Sequence, residues 1–160
     1  MSRRVGPPDR TNAGTVYGMD SETRALVEKL VASGHWPASN TAEQRQNLHP
    51  LVAAERVRAM CPSEDTIYLY APPLGTIAEE MAQPHWQDMP FWFEGFSPLA
   101  AVIIGDFGIG SDAPLVLDYS SGRPLPRVMA WCLGRDGLGT RWLELASSFH
   151  EFCDKCWGPT

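Results

Sequence analysis

At 160 residues, with 44% hydrophobic and 20% charged residues, the chain has the length of one domain. It can bury a core without disulfide or metal staples. A net charge of −6 argues against non-specific nucleic-acid binding, which depends on neutralising phosphates, and leaves a basic protein partner open. No stretch approaches the apolar length of a membrane span. The basic residues of MSRRVGPPDRTNAG precede no apolar run, so no signal peptide is expected and the cytoplasm is the expected compartment.

Residues 1–18 are rich in Pro, Gly, Arg and small polar side chains and read as a flexible lead. Residues 19–160 are expected to form a single domain. Asp20 is placed to cap a helix running to about Ser33. Leu26, Val27, Leu30 and Val31 would form its apolar stripe, and Gly34 its stop. Asn40-Thr41-Ala42-Glu43 is a capping-box pattern for a second helix. Pro50 kinks or restarts that helix, and Leu51–Met60 continues it as far as Cys61-Pro62. Thr66–Tyr70 alternates as a short strand and stops at Pro72-Pro73. Thr76-Ile77-Ala78-Glu79 then opens a short helix to about Ala82. The segment PHWQDMPFWFEGF that follows carries Trp86 and Trp92 and suits either core packing or a recognition surface.

Leu99–Tyr119, LAAVIIGDFGIGSDAPLVLDY, is the stretch around which the rest is arranged. Leu99 to Ile104 is apolar throughout and β-branched at its end, as a strand buried on both faces requires. Pro114 suits the start of a second strand, where a missing N–H costs little. Leu115, Leu117 and Tyr119 would then point one way, and Val116 and Asp118 the other. Between the strands, Gly105, Gly108 and Gly110 would permit positive φ. The order G-x-x-G-x-G is not the dinucleotide fingerprint, and no G-K-[ST] follows. Asp106, Asp112 and Asp118 lack the dense alternate-position oxygens of an EF-hand. The loop is therefore expected to be structural or partner-facing, and no cofactor or metal is expected in it.

Arg127–Leu133 reads as a third strand, with Val128, Ala130 and Cys132 on one face and Met129, Trp131 and Leu133 on the other. Gly134-Arg135-Asp136-Gly137 is a hairpin turn, and Leu138–Leu145 a fourth strand. Ser148-Phe149-His150-Glu151 is a capping box. The helix it opens would align Phe149, Phe152, Cys153, Cys156 and Trp157 on one face. The fold class expected is α+β: an antiparallel sheet of about four to six strands, N-terminal helices, and a C-terminal helix packed on the sheet.

Catalytic constellations were sought and not found. There is no G-x-S-x-G elbow. The histidines stand beside Trp36, Pro50, Trp86 and Phe149 without a nucleophile or ligand partner in their motifs. Cys153-x-x-Cys156 has no second pair, while Cys61 and Cys132 stand apart in sequence. The pair also falls late in a helix, where the dipole raises thiol pKa values. Core packing is the expected role of these cysteines, and no enzymatic activity is expected.

From about Pro98 to Phe152 the chain resembles the SMI1/KNR4 family, also called the SUKH superfamily. The residues that carry the resemblance are Ile103-Ile104-Gly105-Asp106-Phe107-Gly108-Ile109-Gly110-Ser111-Asp112-Ala113-Pro114 and the strand to Tyr119. Supporting them are the apolar strand after Pro124 and Pro126, and Trp142, Ala146, Ser148, Phe149 and Phe152. The resemblance implies an α+β domain whose bacterial members are widely immunity proteins, neutralising polymorphic toxins by binding and not by catalysis. Fungal members look like signalling scaffolds. The expected partner is thus a cognate toxin domain, with a basic one favoured by the acidic balance. A scaffold without a toxin, or a small hydrolase with a dispersed site, are the alternatives. Candidate partner contacts are Asp106, Phe107 and Asp112 in the loop, and Trp86 and Trp92 in the aromatic segment.

Overall fold

The Asp20 side chain accepts a hydrogen bond from the Thr23 N–H at 2.9 Å and starts helix α1, Ser21–Ala32. Val27 is buried, Leu26, Leu30 and Val31 pack beside it, and Gly34 ends the helix at φ +79°. The structure is a computed structural model that describes residues 19–39, 51–80, 97–107, 113–133 and 139–159. The expected lead, the Asn40 helix, the aromatic segment 81–96 and the Gly134–Gly137 turn lie outside the described residues.

Helix α2, Ala54–Met60, is shorter than the expected Leu51–Met60. The residues before it bend instead, burying Val52 and leaving the Leu51 carbonyl to accept from Trp157 Nε1 at 2.9 Å. That carbonyl serves a tertiary contact and not a helical one. Strand β1 is only Tyr68–Leu69, within the expected Thr66–Tyr70. Helix α3, Ile77–Glu80, has a full reciprocal capping box: Glu79 N donates to Thr76 Oγ1 at 3.2 Å, and Thr76 N to Glu79 Oε2 at 3.1 Å.

Pro98–Ala100 forms a 3₁₀ turn before strand β2, Ala101–Asp106. Leu99, expected to begin this strand, is instead 75% exposed on the turn. Pro98 at the head of the turn favours the tight geometry. Strands β3 (Pro114–Asp118), β4 (Arg127–Leu133) and β5 (Thr140–Ala146) follow. Every residue of β2 and β3 is buried. Short connections make the sheet a five-stranded antiparallel meander in the order β1-β2-β3-β4-β5. Helix α4, Phe149–Trp157, closes the chain's described part.

The sheet separates two apolar clusters. Val102, Ile104, Leu115, Leu117, Val128 and Ala130 face the larger one, with Val27 from α1, Val57 from α2 and Phe149, Phe152 and Cys156 from α4. On the other face Ala101, Ile103, Val116 and Met129 meet Ile77 of α3, with Trp131 and Trp142 packed alongside. The α4 end is fixed by Arg56, whose guanidinium donates to the carbonyls of Asp154 (3.3 Å), Lys155 (3.1 Å) and Gly158. Cationic capping of the last carbonyls complements the helix dipole.

Candidate protein-binding site

Strands β2 and β3 hold the loop on which the expected contacts lie. Asp106 pairs with Tyr68 of β1 and Pro114 of β3. One residue further, Phe107 N donates to the Ala113 carbonyl at 3.1 Å and clips the base of the loop. Phe107 is buried in the larger cluster, and Asp106 is 5% exposed. These two side chains hold the loop's base and offer a partner little surface. Asp112, Trp86 and Trp92, the other candidate contacts, lie outside the described residues.

Gly105 corrects one expectation. It sits inside β2, and positive φ occurs among the described residues at Gly34, Gly122 and Gly139 instead. The residue is required for close approach: a Cβ there would lie 2.5 Å from the Tyr68 carbonyl oxygen. The register shift between Ile103 and Gly105 brings β1 into this contact beside the loop.

At the opposite end of the same strand pair, Asp118 is fully buried. Its carboxylate accepts from Arg127 Nε at 2.7 Å, from Ser120 N at 2.9 Å and from the Ser120 hydroxyl. Arg127 Nη1 also reaches Glu144 Oε2 at 3.4 Å. Burial alone would lower the Arg127 pKa, but the hydrogen bonds and charges of Asp118 and Glu144 outweigh it and raise it. Asp118 therefore ties β3, β4 and β5 together. The signal for this was present, because a β-pair places Asp118 opposite Arg127.

Tyr119 carries the tie to α1. Its hydroxyl donates to Asp20 Oδ1 at 2.7 Å and accepts from Asp20 N at 3.2 Å. Burial, reinforced by the Asp20 carboxylate, pushes the Tyr119 pKa up. Burial would raise Asp20, but hydrogen bonds from Thr23 and Tyr119 prevail and lower it.

The cysteines are all free thiols. Burial, with the Asp154 charge, pushes Cys153 up to about 12, and burial with Cys153 raises Cys156. Neither is a poised thiolate. Cys61 and Cys132, distant in sequence, come together: burial and a hydrogen bond from Cys61 raise the Cys132 thiol. His35 accepts or donates at Ser33 Oγ (2.8 Å) and stands edge-on to Trp157, while His150 Nε2 lies 3.0 Å from Glu22 Oε1. Among the described residues no group of three or more His, Cys, Asp or Glu side chains is arranged to hold a metal ion. No helix among them is long and apolar enough to cross a membrane.

No family model matches the chain, and neither does a curated protein or a solved structure. The architecture itself places it in the α+β class.

Proposed function

We propose that the chain is an immunity-type protein that binds a cognate bacterial toxin domain one to one and neutralises it without catalysing a reaction. One observation supports this above the rest. The stretch Ile103–Tyr119, which carries the SMI1/KNR4 resemblance, supplies two fully buried strands and a loop clipped at its base by Phe107 and Ala113. Loops held by a rigid sheet are where recognition usually resides. The net charge of −6 suits a basic toxin, whose approach it would accelerate.

The test is co-purification and calorimetry with the polypeptide encoded beside this one, together with survival of cells expressing it. A tight one-to-one complex and protection are expected. With a basic partner, the association rate should fall as salt shortens the screening length to about 8–10 Å. Absence of both binding and protection would overturn the reading. Asp106→Asn and Asp112→Asn then separate contact from support. Lowered melting with unchanged affinity would remove either residue from the interface.

A further inference from the structure

The two edges of the sheet are built differently. At one, β1 is two residues long and Pro72-Pro73 follow closely. At the other, β5 runs for seven residues and pairs with β4 on one side. No strand among the described residues pairs with its other side. Edge strands usually carry a device against addition of another chain: short length, Pro, Lys or a bulge. On β5 these devices gather at the C-terminal end. The register shifts there, between Val128↔Ala146 and Met129↔Glu144, which makes Leu145 the extra residue. Lys155 Nζ donates to the Leu145 carbonyl at 2.6 Å. Ahead of the bulge, Thr140-Arg141-Trp142-Leu143-Glu144 holds no Pro, Gly or Lys.

We propose that a second copy of this chain pairs with β5 antiparallel, about a two-fold axis at Trp142, joining two sheets into one. The position of the bulge argues for a copy and for this register. Trp142 is the midpoint of Thr140–Glu144, so a two-fold there uses the whole segment and stops short of both bulges. In that register Glu144 opposes Thr140 of the second copy, Arg141 opposes Leu143, and Trp142 meets its own counterpart. No like charges oppose, and each Glu144 carboxylate meets a hydroxyl. Centring on Leu143 would instead draw Leu145 into the ladder and set Trp142 against Glu144. The chosen register also sets the Trp131–Trp142 edge-to-face pairs of the two chains, each with centroids 5.6 Å apart, side by side. Two-fold self-complementary contacts are the commonest oligomer interfaces. A strand pair this short buries less than the roughly 800 Å² per partner of standard interfaces, so the dimer should be reversible. This inference is independent of toxin binding.

Sedimentation equilibrium of the full chain over a wide concentration series tests it, with Thr140→Glu, Thr140→Lys and Thr140→Glu/Glu144→Lys. Thr140 is exposed, and melting curves verify that each variant folds. The parent should form a concentration-dependent dimer. Thr140→Glu sets carboxylates against each other at both ends of the ladder and should weaken dimerisation roughly tenfold, while Thr140→Lys should strengthen it several-fold. The double variant should recover the lost affinity. A monomer at every concentration would overturn the proposal, as would a dimer indifferent to the charge at position 140. A monomer whose toxin binding is lost with Thr140→Glu would assign the edge to the toxin, and would overturn it equally.

Discussion

The two faces of the sheet are closed by different means. One receives α1, α2 and α4 and packs Trp36, Phe149 and Phe152 among the strand residues. Among the described residues, the other receives the single turn of α3 and holds Ile77, Ala101, Ile103, Val116 and Met129. Its rim is polar, with Asp118, Arg127 and Glu144 linked in a row. Large aromatic side chains hold the first face, and an ion-paired clasp reinforces the second. Damage should therefore differ in size and in kind between them.

The largest effect expected is from Phe152→Ala, about 3–5 kcal/mol, because a fully buried ring in the aromatic cluster leaves a cavity the helix cannot fill. Met129→Ala on the opposite face should cost about 2 kcal/mol, at the low end for such truncations. Denaturant melts of both variants measure the contrast. Equal losses, or a larger one at Met129, would break the comparison.

Next comes the clasp. Arg127→Ala leaves the Asp118 carboxylate buried with only Ser120 donating to it. Losses of about 3–5 kcal/mol follow when one member of a fully buried pair is removed. Arg127 is 25% exposed at its side chain, so about 2–3 kcal/mol is expected here. Asp118→Asn/Arg127→Ala should recover part of that loss, since no buried charge is then unpaired. A double variant as unstable as the single one would show that packing of the Arg127 stem, and not charge, is what the clasp supplies.

Much of this division was legible in the sequence. Period-two alternation separates Val128, Ala130 and Cys132 from Met129 and Trp131, and the structure places them on opposite faces. Capping chemistry located Asp20, Thr76 and Ser148 because those motifs are local. What escaped was tertiary. The Leu51 carbonyl is taken by Trp157, so the expected Leu51–Met60 helix loses its first turn. Gly105 looked like a loop hinge, but its constraint comes from β1, which lies some 36 residues earlier in the chain. Cys61 and Cys132 seemed unrelated for the same reason. At the candidate site, glycine and aspartate composition marked a loop, but nothing local indicated that Phe107 would turn inward as its anchor.

A smaller loss tests the start of α4. Ser148 Oγ accepts from Glu151 N at 3.1 Å, and Ser148→Ala should cost about 1 kcal/mol in denaturant melts. A loss near zero would mean that neighbouring groups satisfy that N–H in its place.

The smallest effect depends on pH and belongs to the same cap. The Glu151 carboxylate, expected to reach back to Ser148, accepts instead from Ser147 N and Oγ, both at 2.6 Å, with Lys155 at 3.2 Å. The Ser147 hydrogen bonds, more than the Lys155 charge, lower its pKa from 4.5 to about 2. A depressed carboxylate pKa means that the folded state binds the proton less readily than the unfolded one. Its contribution is fully present above about pH 4.5 and is lost as pH falls toward 2. The group is largely solvent-exposed, which keeps this contribution small. Asp20 is lowered as well, so the acid limb of the parent alone cannot isolate Glu151. The difference in melting temperature between the parent and Glu151→Gln can, because every other carboxylate is common to both. That difference should be constant above about pH 5 and should shrink through the window between 4.5 and 2. A difference that stays flat across the window would show that an amide serves Ser147 as well as the carboxylate, and that the cap does not depend on charge.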